Sequence, residues 1–366
     1  MPHPAPDAVF ASKPRLRWLE DDALNGEPDA AALDPELTPD EAFFVRNNGD
    51  MPAIGAPEAW RLEVTGEVRQ PLSLSLTDLA RDFPVVDLSA VLECAGNGRA
   101  FLSPPVSGAQ WRDGAVGCAR WTGVRMRDVL QRAGLTEAAV YTAHHSPDRS
   151  LTAPGKPALS RGIPIAKALA PETLLAFAMN GAPLPALHGG PLRVVVPGYP
   201  GSAWQKWLDR LEIRDREHDG EKMRGTDYRL PVTPLGPGEA VDPAGFAVIT
   251  DMPVKSLITT PAAGFTHGSK APLAVAGWAW SGATPVAGVR VSADGGASWT
   301  EANLAPTGEP FAWRRFSAAL TVTRGPVTLV AVARDLAGRE QPLDTAPWNP
   351  RGYCNNLAHR VAGVAA

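Results

Sequence analysis

At 366 residues, the chain is longer than a single hydrophobic core usually organises, so two domains are expected. Its 37 prolines, 35 glycines and 11 tryptophans predict a loop-rich, strand-heavy protein, not a helical bundle. Charged residues make up 20% and the formal net charge is −4, which leaves no basic surplus for nucleic acid or an anionic membrane surface.

The start, Met1-Pro2-His3-Pro4-Ala5-Pro6, lacks the basic and apolar regions of a secretory leader, and no stretch approaches the roughly 18 apolar residues of a spanning helix. The expectation is a soluble, cytoplasmic chain, or a periplasmic one if a leader has been removed. Residues 1–40 read as an irregular arm. It should end in a short helix with Thr38 as its cap and Pro39 in the first turn. Phe43-Phe44-Val45-Arg46-Asn47-Asn48-Gly49 is an aromatic strand stub whose turn can aim a guanidinium and two amides into a cleft. Strands are predicted from Trp60 to Gly66 and Val85 to Leu92, with a helix from Leu76 to Asp82 between them, stopped by Pro84.

The apolar run Ala90-Val91-Leu92-Glu93 delivers Cys94 into a turn, Ala95-Gly96-Asn97-Gly98-Arg99, whose glycines allow close approach of a bulky group. Arg99 brings a fixed cation near the thiol and favours thiolate, the form that binds metal or attacks carbon. Beyond it, Gln110 to Gly114 and Ala119 to Gly123 read as strand-and-turn pieces. A helix follows from Arg125 to Ala133, closed by Gly134. A helix over Ile165 to Ala170 and a strand over Leu174 to Met179 precede His188-Gly189-Gly190-Pro191-Leu192-Arg193-Val194-Val195-Val196-Pro197-Gly198 and then Trp204-Gln205-Lys206-Trp207. The charged run Arg214 to Arg224 reads as a solvated loop, with Tyr228 just beyond. This part is α+β without regular βαβ alternation. From Pro253 the pattern changes to short strands, Leu273 to Trp280, Val289 to Ser292, Phe316 to Val322 and Val327 to Ala333, with a hairpin signal at Asp294-Gly295-Gly296. That spacing predicts an antiparallel β-sandwich.

Four motifs in this order, Phe44-Val45-Arg46-Asn47, Glu93-Cys94-Ala95-Gly96-Asn97, the run from His188 to Gly198, and Trp348-Asn349-Pro350-Arg351-Gly352, make the chain resemble the sulfite oxidase family of molybdenum enzymes from about residue 40 to the C-terminus. The resemblance implies a molybdopterin-binding catalytic domain over 41–252 of mixed sheets and short helices, and an immunoglobulin-like dimerisation domain over 253–366. It makes Cys94 the thiolate ligand of molybdenum, beside the sulfurs of a pyranopterin dithiolene. Soft thiolate on a redox metal is sound ligand chemistry. Cofactor contacts carry over to Phe44, Val45, Arg46, Asn47 and Asn48, to His188, Arg193 and Lys206 with Trp204 and Gln205 beside them, and to an acidic contact near Asp148. Substrate positions carry over to Arg46, Arg99, Arg351, Trp111 and Tyr228. Cations converging there repel one another unless an anion sits among them.

The implied reaction is oxidation of sulfite to sulfate by oxygen-atom transfer, with electrons passed to an external acceptor such as cytochrome c, by a homodimer without haem. Two departures alter the pocket: Gly98 stands where the family often has arginine, and Asn48 stands where animal enzymes carry histidine. Rival readings are nitrate or sulfoxide reduction on the same frame, a non-enzymatic immunoglobulin-like binding protein, and a zinc hydrolase built on His144-His145. The last lacks a nearby third ligand, and adjacent histidines on a strand point to opposite faces.

Overall fold

The structure, a computed structural model, describes residues 6–19, 23–268 and 271–366. Its first unit is built on two sheets. One is antiparallel, ordered Arg193–Val195, Leu174–Met179, Val116–Arg125, Val85–Glu93, with the short strand Ala182–Pro183 folded back on Leu174–Met179. The other runs Leu72–Ser75, Arg61–Gly66, Arg210–Arg214, Tyr141–His145, and pairs Arg61–Gly66 with Arg210–Arg214 in parallel.

Three of the predicted elements of this unit show why the chain folds as it does. Leu76–Asp82 is a helix because Ser75 caps it: the Ser75 hydroxyl accepts from the Asp78 amide, and the Asp78 carboxylate accepts from the Ser75 amide. Met126–Ala133 buries Met126, Val129, Leu130 and Ala133 at helical spacing, and Gly134 closes it with φ of 68°. Val85–Glu93 begins with alternating exposure and is wholly buried from Ala90 onward, so the strand sinks into the core as it approaches Cys94.

Four expectations are corrected. Thr38 does not cap a helix. Its hydroxyl accepts from the Cys118 amide, and only a 3-10 turn, Asp40–Ala42, forms after Pro39. Gln110 to Gly114 is not strand, because the buried Glu27 carboxylate takes the amides of Arg112 (2.8 Å) and Gly114 (3.1 Å). The helix after Pro164 stops at Ala168, where the Thr173 hydroxyl claims the Lys167 carbonyl. The arm is not irregular throughout, since it holds a helix, Pro6–Ser12, and a hairpin, Leu16–Trp18 with Gly26–Pro28.

The second unit is a sandwich. One sheet is ordered Lys255–Thr260, Leu273–Trp280, Arg314–Leu320, Asn303–Leu304. The other is ordered Phe265–His267, His359–Ala365, Gly325–Asp335, Val286–Ser292, Thr300–Glu301. The pairings are antiparallel except at the Phe265–His267 edge, which runs parallel to the last strand. A separate apolar cluster joins the two units: Leu33 from the arm, Val91, Val116 and Cys118 from the first, and Leu257, Trp278, Trp280 and Trp313 from the second. Trp278 and Trp313 stack at 5.2 Å and donate their indole N–H to the carbonyls of Asp34 and Glu36, so the arm is stapled across the junction. Burial there pushes the Cys118 thiol up to about 12, which makes it a packing residue.

Candidate active site

The turn after Val85–Glu93 is tied at most of its polar positions. The Cys94 amide donates to the Ala115 carbonyl (2.9 Å), the Asn97 amide to the Cys94 carbonyl (2.9 Å), and the Gly96 amide points at Cys94 Sγ (3.4 Å). A Cβ on Gly96 would stand 2.5 Å from the Arg99 guanidinium, so a side chain there would push Arg99 from its present place. Below the turn, buried Glu93 accepts from Asn97 Nδ2 (3.0 Å), Lys255 Nζ (3.2 Å) and Trp280 Nε1 (2.8 Å). The second unit also reaches the turn directly, through the Cys354 amide on the Ala95 carbonyl (2.7 Å) and Asn355 Nδ2 on the Gly98 carbonyl (2.7 Å). Cys354 is no rival to Cys94: burial pushes its thiol up to about 12.

Cys94 stands in the wall between two cavities. The inner one is lined by Phe44, Arg46, Asn48, Cys94, Asp148, His188, Arg193, Trp204, Gln205, Lys206 and Tyr228 among others. The outer one is lined by Arg46, Asn48, Cys94, Arg99, Trp111, Lys222, Asp227, Tyr228, Arg351 and Tyr353 among others. Cofactor and substrate positions therefore separate by cavity, with Arg46, Asn48, Cys94 and Tyr228 on both. Two of the named positions line neither. Val45 is fully buried and bridges to Gly26, and Asn47 is buried behind the wall, where its Oδ1 accepts from Lys206 Nζ and its amide donates to Asn25 Oδ1 (2.8 Å).

The inner cavity is an anion cradle. Arg193 is buried without a carboxylate: one terminal nitrogen donates to the His188 carbonyl (2.7 Å), the other to the Trp204 carbonyl (2.9 Å), and its ring neighbours are Trp121 and Trp204. Arg193 Nε and Ser202 Oγ are buried with no partner. Burial lowers Arg193 to about 9 and holds Lys206 well below the usual lysine range, with the Arg193 charge adding to the effect. Gly189, at φ of 97° and pressed on Lys206, lets the His188 turn close over that lysine. Burial lowers His188 to about 4, so its ring is neutral. His188 Nε2 meets Lys13 Nζ (2.7 Å) and Asp40 (3.0 Å) from the arm. Asp148 is buried and accepts from Ser146, while Gln205 Nε2 donates to Ser146 Oγ (2.7 Å). Buried cations short of counter-charge, orphaned donors and an aromatic floor suit a phosphate-bearing pterin. Among the described residues no group of three or more His, Cys, Asp or Glu could hold a metal ion. A metal at Cys94 would thus take its other ligands from such a bound group. His144 and His145 are engaged elsewhere, with Thr142 (2.8 Å) and Glu212 (3.0 Å).

The outer cavity is cationic. Arg99 donates to the carbonyls of Arg351 (2.9 Å) and Ala109 (2.7 Å) and lies over the Tyr353 ring. Arg351 comes from the loop after Gly325–Asp335 and pairs with Asp227 (2.9 Å) and Thr226 (2.8 Å). Trp111 is fully buried, its ring edge-on to Phe44. Tyr228 stacks on Tyr353 at 5.2 Å. In the run Arg214 to Arg224, Asp215, Arg216, Glu217, Asp219 and Arg224 are exposed, as a solvated loop requires, but His218 and Met223 are buried, and Lys222 faces the cavity. The inward turn is made by His218 Nε2 meeting Ser160 Oγ (2.8 Å) and by buried Arg161 donating to the Lys222 carbonyl. Lys13, Ser202, Lys222 and Asp227 were not singled out from the sequence. Ser202, just ahead of the Trp204-Gln205-Lys206 motif, and Asp227, beside Tyr228, carry a local signal, while Lys13 and Lys222 carry none.

One thiol in the wall between a buried anion cradle and a cationic vestibule, on mixed sheets joined to a sandwich, fits a molybdopterin-dependent oxidoreductase, the class to which the family match assigns the chain. Residues 48–222 match the family described as oxidoreductase molybdopterin binding domain, and 247–364 match the Mo-co oxidoreductase dimerisation domain. Sulfite oxidase of Gallus gallus is 38% identical over 97% of this chain and 81% of its own length. A nitrate reductase of Hordeum vulgare is more distant, at 30% over 92% of this chain and 40% of its own. The solved sulfane dehydrogenase SoxCD of Paracoccus pantotrophus superposes with a TM-score of 0.80 at 27% identity, over 99% of this chain and 90% of that one. The chain belongs to the sulfite oxidase family of molybdenum enzymes.

Proposed function

We propose that the chain oxidises sulfite to sulfate by oxygen-atom transfer. The inner cavity would hold molybdopterin, and electrons would leave to a separate acceptor of the cytochrome c type. The observation that carries this reading is the position of Cys94, the one thiol common to the anion cradle and the vestibule. When bound through Cys94, molybdenum supplies the transferable oxygen and takes up the electron pair. Arg193, Lys206 and Ser202 would hold the pterin phosphate, with His188 beside them, and Asp148 and Gln205 would face the pterin ring.

In the vestibule, Arg46, Arg99 and Arg351 bind the anion and fix its orientation against the thiol side, so that little reorganisation is left for the reacting step. The Tyr228 hydroxyl, on Asn48 Oδ1 at 3.1 Å, holds a proton beside the departing sulfate, and the Trp111 ring closes one wall against water. Sulfite and water thus become sulfate, with protons released to solvent and the electron pair to the acceptor. The match of the C-terminal unit to a dimerisation domain supports a homodimer through residues 253–366.

Metal analysis together with two assays tests the reading. Molybdenum equimolar with the chain and sulfite-dependent reduction of cytochrome c are expected. Absence of molybdenum in protein made in a cofactor-producing host, or nitrate reduction without sulfite oxidation, would overturn it.

A further inference from the structure

Asn48 Oδ1 accepts three donors: Lys222 Nζ at 2.8 Å, Arg46 at 3.1 Å and the Tyr228 hydroxyl at 3.1 Å. A neutral amide oxygen is a weak acceptor for two cations, and all four side chains face the vestibule. Lys222 is also placed there at a cost. It has φ of 63°, and Tyr228 in the same loop has φ of 50°, a region that non-glycine residues seldom occupy. Arg161 holds both: it donates to the Lys222 carbonyl, and its guanidinium lies 5.1 Å from the Tyr228 ring centroid. The fold therefore spends backbone strain and a buried arginine to aim one lysine at the anion site.

Among the described residues of the vestibule other than Arg46, three cations, Arg99, Lys222 and Arg351, face one carboxylate, Asp227, which is already paired with Arg351. A monoanion does not balance that field, whereas a dianion comes close. We propose that Lys222 is a specificity-determining residue: its ammonium leaves Asn48 for an oxygen of the bound anion and sets the preference of the vestibule for a tetrahedral or pyramidal dianion over a monoanion such as nitrate. The proposal rests on the vestibule being the substrate site. It deepens that reading by naming the charge class the site selects and the residue that selects it.

The test uses molybdenum-loaded full-length protein, as wild type, Lys222→Met and Lys222→Arg, with sulfite as substrate and sulfate and nitrate as competing ligands. Lys222→Met should raise the KM for sulfite and the Kd for sulfate, by calorimetry, about tenfold each. It should leave kcat and nitrate binding within about twofold, because weaker binding of ground and transition states alike appears in KM. Lys222→Arg should keep most of the wild-type affinity. In the wild type, KM should climb as sulfite is protonated to its monoanion, and in Lys222→Met it should climb less. Unchanged sulfate affinity in Lys222→Met, or Lys222→Arg failing as badly as Lys222→Met, would overturn the proposal. So would a wild type that binds nitrate as tightly as sulfate, a measurement that stands even if Lys222→Met does not fold. Should the wild type fail to oxidise sulfite while sulfate binding still depends on Lys222, the proposed reaction falls and this assignment stands.

Discussion

Cys94 is held mainly by its backbone, with one long contact to its sulfur. Its amide and carbonyl are engaged by Ala115 and Asn97, and the Gly96 amide lies 3.4 Å from Sγ. Cys94→Ser should therefore abolish sulfite-dependent cytochrome c reduction while leaving the circular dichroism and most of the releasable pterin in place, since the phosphate donors lie on Arg193, Lys206 and Ser202. Near-native turnover in that variant would remove Cys94 from the metal. This residue was legible in the sequence because an apolar strand running into Cys-Ala-Gly-Asn-Gly-Arg has a local chemical meaning. Lys13 was not. Its partners Asp40 and His188 lie 27 and 175 residues away, and nothing around Lys13 marks a buried lysine.

Among the elements, strands written as apolar runs and a helix announced by its cap were legible: Leu174–Met179, Leu273–Trp280 and Leu76–Asp82 fall where the sequence puts them. In the loop from Arg214 to Tyr228 most charges do face solvent, but the charge pattern hides His218 and Lys222, which fold inward onto Ser160 and Arg161. The loop carrying Arg351 meets it across the vestibule, and Arg351 and Asp227 form the contact. Arg351→Met would remove a charged hydrogen bond of roughly 1.5–3 kcal/mol and leave Asp227 facing the anion, so the KM for sulfite should rise ten- to a hundredfold. Molybdenum content should not change, because Arg351 lines only the outer cavity. Kinetics and metal analysis on the same preparation check this, and an unaltered KM would detach the second unit from the site.

For the whole molecule, the pair Glu93–Lys255 joins the cysteine turn to the sandwich with both side chains buried. Lys255→Met should cost about 3–5 kcal/mol in urea unfolding, since it strands a buried carboxylate, and adding Glu93→Gln should recover much of the loss. A second molecular property is response to acid. Burial lowers His144 to about 3 and His188 and His218 to about 4, from 6.5 in the unfolded chain. A base depressed on folding stabilises the protein above 6.5 and loses that contribution as pH falls toward 4, because the unfolded chain takes up the proton first. Asp148 and Glu27, whose carboxyls burial pushes up, act in the opposite sense. The cofactor-free protein should lose roughly a few kcal/mol between pH 6.5 and 4. His218→Gln should flatten the slope in melts across that range, and an unchanged slope would show that this ring is not buried neutral.

The ties on the Cys94 turn also fix a timetable. Arg99 donates to the carbonyl of Arg351, the Cys354 amide to Ala95 and Asn355 to Gly98, so the thiol's surroundings are completed by residues made about 250 positions later. While the ribosome is still working through the sandwich, the cysteine is already outside, on a turn whose last partners do not yet exist. Contacts that distant close late in folding. Attachment of a metal to the thiol then follows synthesis and does not accompany it. A nascent chain stalled before Arg351 should hold no molybdenum on Cys94, however well its first sheet has formed, whereas a chain released after its last residue should.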